Sequence, residues 1–423
     1  MQEGPDRVVK LARGPIVWAR RALLALVLVG AAVIPGRASS HISQHCAGRR
    51  CTTAGSVLWT AALPGSWLAE TGVSGTVASQ TGAYAATGGG LAVVGTGTTV
   101  TGFAASTGER LWRVVLTGVP AGSAIVGIRA FTGVVAVGVA PPAGQPGTRR
   151  EVILSATTGA EIRSYPAASY GGTVIADPAT TVIVGADAVT AYVTSTGRVR
   201  WLRATGTASQ TWRVTGHTLY VTDSRDSLGS TVPALRRIDL RTGAERIVRP
   251  AKGAFPGNLS DAVGGVVLFS GADGILRAYS GETGALLWHH ASAGLELAGG
   301  QSTVYLTDAG QLLGVDISTW RVVSSVPISV AGSLYWVSGG VALGLDQNSL
   351  GEAWGYNLST RRIAWTSGSL PWPHFFVDLS GLGGSASLAS DIVLLATCAQ
   401  VGTSATANSA PSCEQPQLAA VRI

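Results

Sequence analysis

Four cysteines carry the most reactive side chains of the chain, and all of them lie towards its ends. Cys46 and Cys51 come early, whereas Cys398 and Cys413 come late. Spacings of 5 and 15 residues, with no Cys-x-x-Cys and no nearby histidine pair, do not match a structural zinc site. An even number of cysteines in an exported chain is typical of disulfides. Three pairings are open, and the two local pairs close the shortest loops.

Side chains suited to acid–base or metal chemistry are few and scattered. His289 and His290 are neighbours, so within a strand they point to opposite faces. Asp223 and Asp226 could hold a cation, but we expect them to belong to a polar hairpin loop. The chain has no Gly-x-Ser-x-Gly, no phosphate-binding loop and no His-Glu-x-x-His, which argues against the enzyme classes that those motifs mark.

One short segment, residues 370–378, is rich in aromatic side chains and contains two prolines. It contains Trp372, His374, Phe375 and Phe376. If these side chains are exposed, they form a candidate binding loop, because exposed aromatic patches mark interaction sites. If they fold beneath the neighbouring strands, they belong to the core.

The composition favours strands and tight turns. Of 423 residues, 46% are hydrophobic and 13% are charged, so the chain is neither disordered nor a coiled coil. It contains 57 glycines without a Gly-X-Y period, and glycine at that density destabilises helices.

The positive charge is concentrated at the start of the chain. Of the formal net charge of +7, residues 1–50 hold +6 and the rest only +1. A nucleic-acid-binding protein needs a basic face that displaces counterions from phosphates. The nearly neutral body therefore predicts that the chain does not bind nucleic acid.

The start of the chain reads as an export signal. Residues 1–21 form a basic, cytoplasmic region, residues 22–36 a hydrophobic segment and residues 37–50 a linker. Cleavage after Ala38 would release a secreted protein. Without cleavage, the segment would be a hydrophobic helix that anchors the chain in the membrane by a single pass, with the remainder outside the cytoplasm.

The rest of the chain repeats one phrase: a β-branched strand, a turn, a second strand, then Thr-Gly and often Trp four residues later. Eight copies of the first strand recur at intervals of 37 to 51 residues, which is typical of propeller blades. The copies start at Leu91, Val134, Thr181, Thr218, Val266, Thr303, Val341 and Ile392.

The turn and the tryptophan form the half of the phrase whose spacing is the most regular. Glycine suits a tight hairpin because it adopts positive φ without steric cost, and a tryptophan at one fixed offset is predicted to be buried between neighbouring sheets. The tryptophans at this offset are Trp112, Trp201, Trp288 and Trp365, whereas Arg163 and Ile247 stand at the same offset in two other copies.

This phrase resembles the repeat of the pyrroloquinoline-quinone-type (PQQ-like) β-propellers, Ala-x-Asp-x-x-Thr-Gly-x-x-x-Trp. Asp239 and Asp316 match the aspartate, and Ala191 and Ala278 match the alanine. The resemblance covers residues 51–423. It implies an all-β, eight-bladed β-propeller of four-stranded blades.

The two ends of the repeat region predict how the ring closes. Residues 55–59 form the second half of a phrase without a first half, and residues 418–423 form a first half without a turn. Pairing of these N- and C-terminal strands would complete one blade and remove exposed sheet edges.

The resemblance also raises a cofactor, PQQ with a metal ion, and a quinoprotein oxidoreductase activity. The quinoprotein alcohol dehydrogenases typically add a vicinal disulfide, and this chain has no Cys-Cys pair. We expect Asp239 and Asp316 to be turn residues, because such side chains bond the backbone of turns. We therefore predict no catalytic, cofactor-binding or metal-ligating residues.

The expected function is that of a non-catalytic scaffold, a monomeric propeller that binds a partner protein, an envelope component or a small ligand. The first alternative is the quinoprotein oxidoreductase. The second is an envelope assembly factor similar to the propeller lipoprotein of outer-membrane insertion machinery, although Cys46 lacks the Leu-x-x-Cys context of a lipoprotein.

Overall fold

Every regular element in the described part of the chain is a β-strand, as the composition predicts. The structure is a computed structural model. It describes residues 42–44, 57–62, 67–68, 83–142, 147–167, 172–176, 178–185, 188–204, 211–222, 231–232, 234–291, 297–299, 302–308, 310–327, 333–338, 341–346, 352–366, 375–376, 392–398, 401–402, 412–413 and 416–422.

Within these ranges, seven four-stranded antiparallel sheets follow one another along the chain. The first sheet contains β4 (Ala83–Gly88), β5 (Leu91–Thr96), β6 (Thr99–Ala104) and β7 (Arg110–Val115). The second contains β8 (Ala124–Ala130), β9 (Val134–Ala140), β10 (Arg149–Ser155) and β11 (Glu161–Ala167). The third contains β12 (Gly172–Ala176), β13 (Thr180–Val184), β14 (Ala188–Val193) and β15 (Val199–Ala204).

The remaining four-stranded sheets keep the same order of strands. The fourth contains β16 (Trp212–Thr215), β17 (Thr218–Thr222), β19 (Leu235–Asp239) and β20 (Glu245–Val248). The fifth contains β22 (Asn258–Val263), β23 (Val266–Ser270), β24 (Ile275–Ser280) and β25 (Leu286–Ala291). The sixth contains β26 (Leu297–Gly299), β27 (Thr303–Asp308), β28 (Gln311–Asp316) and β29 (Arg321–Pro327). The seventh contains β30 (Ser333–Ser338), β31 (Val341–Asp346), β32 (Glu352–Asn357) and β33 (Arg362–Thr366).

A five-stranded closing sheet joins both ends of the described chain. Its order is β1 (Ile42–Gln44), β2 (Val57–Ala62), β38 (Pro416–Arg422), β35 (Ile392–Cys398) and β34 (Phe375–Phe376). The β2–β38 pairing is antiparallel, with Thr60 opposite Ala419 and Ala61 opposite Leu418. The predicted pairing of the N- and C-terminal strands is confirmed.

Short strands form two smaller sheets outside this series. One pairs β18 (Thr231–Val232) with β21 (Phe255–Pro256). The other contains β3 (Trp67–Leu68), β37 (Ser412–Cys413) and β36 (Val401–Gly402).

The core lies between consecutive sheets. In several four-stranded sheets the second strand is buried on both faces, as in β9, because a neighbouring sheet covers either side. Contacts link each sheet to the next, the seventh to the closing sheet and the closing sheet to the first. The contacts between sheets concentrate on the first strands, so these strands surround the centre, and the fourth strands lie at the rim.

The Thr-Gly turns connect the third and fourth strands. Gly108 and Gly159 have φ angles of 71° and 70°, the left-handed region that favours glycine. Where the phrase lacks glycine, Trp320 and Arg361 keep the same conformation, with φ angles of 56° and 54°. The shape of the turn is therefore retained even where its preferred residue is absent.

Repeated four-stranded sheets that pack in series and close on the first are those of a β-propeller. The predicted leader, residues 1–21 and 22–36, and most of the 37–50 linker lie outside the described residues. The part of the chain that the structure describes contains no helix that is long and apolar enough to span a membrane.

Candidate functional site

The aspartates of the repeat accept hydrogen bonds from the backbone of the turns that follow them. Oδ1 of Asp239 accepts hydrogen bonds from the backbone N–H of Thr242 at 2.8 Å and of Arg241 at 3.0 Å. Asp316 accepts the same bonds from Thr319 and Ser318. These bonds stabilise the ionised form, and hydrogen bonds led by the Ser318 hydroxyl lower the pKa of Asp316 to about 2. The prediction that both aspartates are turn residues is confirmed.

The repeat tryptophans join neighbouring sheets. The indole of Trp112 packs on the turn glycine Gly159 of the second sheet, and its Nε1 donates a hydrogen bond of 2.7 Å to the carbonyl of Ala156. Across its own sheet, Trp112 lies opposite Gly102, where any side chain would collide with the indole. The small residue of the phrase therefore makes room for the tryptophan.

The same arrangement closes the ring. Trp59 of the closing sheet packs on Gly108 of the first sheet, and its Nε1 donates a hydrogen bond of 2.7 Å to the carbonyl of Ala105. Trp59 is fully buried. The closing sheet is therefore fastened to the first sheet by the contact that fastens the first to the second.

The other tryptophans follow the pattern less strictly. Trp201 is buried against Gly243 of the fourth sheet, and Trp365 is also buried. Trp288 is less buried than these tryptophans, but it packs against the apolar core between the fifth and sixth sheets, as predicted. The next turn carries Trp320 in place of glycine, and the two indoles stack with centroids 5.8 Å apart.

Two junctions lack the tryptophan. In the second sheet, Arg163 takes its place and lies over Gly197 of the third sheet. In the fourth sheet, Ile247 takes its place but remains 45% exposed. There, a buried aromatic cluster fills the junction with the fifth sheet instead, and Phe255 stacks on Phe269 with a centroid distance of 4.7 Å.

The predicted candidate binding loop is described only in part. Trp372 and His374 lie outside the described residues. The backbones of Phe375 and Phe376 form β34, which pairs with Ala396 and Leu395 at the inner edge of the closing sheet. The binding role of this segment stays a prediction.

The predicted disulfides are not tested by the described contacts. Cys46 and Cys51 lie outside the described residues. Cys398 ends β35 and Cys413 ends β37, but only their backbones are described. Asp223 and Asp226 also lie outside the described residues.

The two neighbouring histidines point to opposite faces of β25, as predicted. His290 stacks on Trp288 with a centroid distance of 5.6 Å and an interplanar angle of 1°. Its Nε2 lies 2.8 Å from Oδ2 of Asp308 in the sixth sheet. His289 is exposed. His290 therefore belongs to the packing between the fifth and sixth sheets.

The first strands bring together polar side chains that no local motif connects. The guanidinium of Arg129, on β8 of the second sheet, lies 5.2 Å from the ring centroid of Trp212, on β16 of the fourth sheet. This cation–π contact passes over the third sheet, which lies between them in the series. Both residues lie on first strands, and the Trp212 indole also packs against the apolar core between the third and fourth sheets.

Arg213 and Asp261 extend this group to the fifth sheet. Arg213 donates a hydrogen bond of 2.6 Å from Nε to the carbonyl of Ser260, and one of 2.8 Å to the carbonyl of Trp212. Asp261 accepts a bond of 2.7 Å from the N–H of Ala262. We call Arg129, Trp212, Arg213 and Asp261 the channel cluster.

Burial perturbs both ionisable groups beside the junction of the fourth and fifth sheets. It raises the pKa of Asp261 to about 6, although the Ala262 N–H and the charge of Arg213 act in the opposite direction. It lowers the pKa of Arg213, which the charge of Asp261 partly restores. Ionisable groups with pKa values shifted by burial and a charged neighbour are common at functional sites.

The donor set of the channel cluster does not fit a quinone with its metal ion. Such a site needs several carboxylates around a cation, and the cluster offers one carboxylate beside a guanidinium. Among the described residues, no three His, Cys, Asp or Glu side chains lie close enough together to hold a metal ion. The Arg129 guanidinium over the Trp212 indole suits the binding of a polar, acidic group.

Sequence reasoning missed the channel cluster because its members belong to three different repeats. A signal was present: Arg129, Arg213 and Asp261 are charged residues in the strand that precedes the apolar strand of the phrase. In a β-propeller that strand is the innermost one, so charges there face the channel.

The rim also carries exposed apolar side chains. They lie on the fourth strands, one side of which is open to solvent. They are Leu111, Val115, Val199, Leu202, Ile247, Leu286, Leu287, Val322, Val323 and Ile363. Several of these strands also carry arginine.

Comparison with known proteins agrees with the repeat. A family model described as outer membrane protein assembly factor BamB matches residues 148–367, about half of the chain. No curated protein matches the chain.

Solved structures share the fold at low sequence identity. The computationally designed Ika8 protein superposes with a TM-score of 0.53 and 15% identity, over 80% of this chain and 95% of that one. Sqt1 from Saccharomyces cerevisiae gives 0.51 and 13%, over 81% and 96%. BamB from Moraxella catarrhalis is 22% identical, over 62% and 79%, with a TM-score of 0.43.

Proposed function

The chain belongs to the PQQ-like repeat family described as outer membrane protein assembly factor BamB, and we propose that it is a non-catalytic binding scaffold. In this proposal it is an eight-bladed propeller, formed by the seven four-stranded sheets and the closing sheet. It works as a single propeller without a cofactor or nucleic acid.

The channel cluster is the observation that supports this function. Arg129 of the second sheet contacts Trp212 of the fourth sheet, and Arg213 with Asp261 lies beside them at the junction of the fourth and fifth sheets. The contact between Arg129 and Trp212 orients a guanidinium in a partly buried site, where its hydrogen bonds to an acidic group would be strong. We propose that the partner presents a carboxylate-bearing segment to this site.

The compartment follows from the leader. We propose that residues 22–36 hold the chain in the membrane with the propeller outside the cytoplasm, or direct its secretion if it is cleaved after Ala38. In that oxidising compartment, Cys398 and Cys413 would form a disulfide, and so would Cys46 and Cys51. Counting alkylatable thiols by mass spectrometry, with and without reductant, tests both the oxidation of the four cysteines and the export.

A second candidate is an envelope assembly factor, and the family match favours it. The matched family is described by the assembly of outer membrane proteins, so the partner would then be a component of such machinery. This candidate needs the same scaffold and differs only in the partner.

Site-specific photo-crosslinking tests the proposed function. A photoreactive amino acid replaces Trp212 in the full chain, expressed in its own host, and a matched variant carries it at Leu202 on the rim. We expect a discrete crosslinked partner at position 212 that disappears when Arg129→Ala is added. Equal crosslinking at both positions, or no effect of Arg129→Ala, would contradict a channel-bound partner.

The identity of that partner separates the two candidates. An envelope assembly factor would crosslink to a subunit of the assembly machinery, and loss of the chain would lower the amount of folded outer membrane proteins. If the crosslinked partner were a different protein, and the amount of folded outer membrane proteins were unchanged, the function would be that of a binding scaffold outside the assembly machinery.

A further inference from the structure

The junction between the second and third sheets departs from the repeat at two paired positions. Arg163 stands where the phrase has tryptophan, and Ile153 lies opposite it on β10. Where the tryptophan is present, the opposite residue is glycine or alanine, as Gly102 is for Trp112. Ile153 is fully buried in the core between the second and third sheets. It therefore supplies apolar volume where the other junctions use the indole.

Arg163 is consequently not required as a core residue. Its side chain is exposed and lies along the turn of the third sheet, with Nε 3.2 Å from the position that a Cβ would take on Gly197. Among the described residues, no carboxylate lies within ion-pair distance of this guanidinium. Arg198, which follows the turn glycine, is exposed as well. The outer part of this junction is therefore positively charged.

The two acidic side chains of the second sheet do not neutralise this charge. Glu161 lies opposite Leu154, which belongs to the core between the first and second sheets, so it faces away from the third sheet. Glu151 is buried, and its Oε1 lies 3.8 Å from the guanidinium of Arg149. The charge of Arg163 is thus available to an external anion.

Apolar and aromatic side chains lie beside this charge. Tyr165, two residues after Arg163 on β11, contacts Tyr192 of β14 with ring centroids 4.4 Å apart. Val199 lies opposite Tyr192, and paired residues share one face of a sheet, so both face the second sheet. Val199 also follows Gly197 by two residues and is 56% exposed. The structure therefore brings a cation and an exposed apolar side chain to the same turn.

We propose that this junction binds a small monocarboxylate that carries an apolar group. The Arg163 guanidinium would hold the carboxylate by charge-assisted hydrogen bonds, and the apolar group would cover Val199 and the edge of Tyr192. Arg163 and Tyr165 lie two residues apart on β11, a span of about 7 Å, which suits a small molecule. The site lies on the fourth strands and is separate from the channel cluster on the first strands.

Ligand-observed fluorine NMR tests this site. The purified full chain is titrated with fluorophenylbutyrate, and broadening of the fluorine signal gives the dissociation constant. The neutral fluorophenylbutyramide is the control ligand. We expect saturable binding of the carboxylate and about ten-fold weaker binding of the amide, because hydrogen bonds to charged groups contribute about this factor in affinity.

Substitutions locate the binding site. Arg163→Gln should weaken binding of the carboxylate about ten-fold and leave binding of the amide unchanged. Arg113→Gln, which alters an exposed arginine on the fourth strand of the first sheet, should change neither. Val199→Ser should weaken both ligands. Because Arg163 is exposed and Ile153 fills the core, the urea midpoint of Arg163→Gln should equal that of the wild type.

A further variant, Arg129→Ala, separates this site from the channel cluster and should leave the titration unchanged. If Arg129→Ala instead abolishes binding of the carboxylate, the ligand occupies the channel cluster, and this inference fails while the proposed function stands. The inference is also overturned if Arg163→Gln binds the carboxylate as tightly as the wild type does, if the amide binds as tightly as the carboxylate, or if no saturable binding occurs.

Discussion

Two junctions between neighbouring sheets solve the same packing problem with different residues. Between the first and second sheets, Trp112 lies on Gly159 and donates a hydrogen bond to Ala156. Between the fourth and fifth sheets, the corresponding Ile247 is exposed and Phe255 fills the space with Phe269. The repeat therefore fixes where apolar volume is needed, but not which residue supplies it.

The second junction differs in polarity as well. It contains Arg213, which bridges two sheets, and the buried carboxyl of Asp261. A junction that departs from the repeat therefore contributes Arg213 and Asp261 to the channel cluster. Departure from a repeat is what a functional site in a repeat protein requires.

Removing Trp112 should have the largest effect on stability. Trp112→Ala deletes a buried indole and its hydrogen bond, so we expect the free energy of unfolding to fall by about 3–5 kcal/mol. Equilibrium denaturation in urea measures this. A loss below about 1 kcal/mol would show that the tryptophan does not fasten the two sheets.

Phe255→Ala tests whether the aromatic cluster replaces the tryptophan. Phe255 is fully buried and stacks on Phe269, so we expect a loss of about 3 kcal/mol, at the lower end of the range for aromatic truncation. The same denaturation experiment compares it with Trp112→Ala. If the loss were far smaller than for Trp112, the two junctions would not be equivalent.

Asp261→Asn should stabilise the protein at high pH. The folded-state pKa of Asp261, about 6, lies above its ordinary value of 3.8, so the folded state holds this proton more tightly than the unfolded state. That contribution to stability is full below about pH 4 and is lost as the pH rises through about 6. The variant should therefore gain about 1–2 kcal/mol over the wild type at about pH 8, and almost nothing at about pH 4.

Denaturation at both pH values checks this prediction. A variant that is less stable than the wild type at high pH would show that the Asp261 charge is needed by Arg213 more than its burial disfavours it. The exposed carboxylate of Asp273, altered to Asn, is a control whose effect should not follow the same pH range, because its pKa lies at about 2.

Ile247→Ala should have the smallest effect. The side chain occupies the tryptophan position but is 45% exposed, so its removal should change the free energy of unfolding by less than about 0.5 kcal/mol. A larger loss would mean that Ile247 supports the junction of the fourth and fifth sheets as the tryptophans support the other junctions.

The repeat made most of the fold predictable from the sequence. The pairing of the strands around Thr60 and Ala419 followed from two half-phrases, and the turn role of Asp239 followed from its place before Thr-Gly. Both depend on local order along the chain. The stacking of Trp288 on Trp320 was not predicted, because it joins residues of two different sheets.

The channel cluster was less predictable for a related reason. Arg129 and Trp212 meet only because two sheets that are not neighbours face the same channel. The sequence shows each residue in its own strand, and the distance between them depends on the curvature of the whole ring. Such contacts become visible only once the sheets are assembled.

Titration with the quinone tests the central claim, that the chain binds a partner without catalysis, most directly. Purified full chain is mixed with PQQ and Ca²⁺, and the absorption spectrum and the reduction of an added dye are followed with alcohol as substrate. We expect no saturable spectral shift and no dye reduction above the protein-free control. A saturable shift accompanied by turnover would contradict the binding-scaffold account and establish an oxidoreductase.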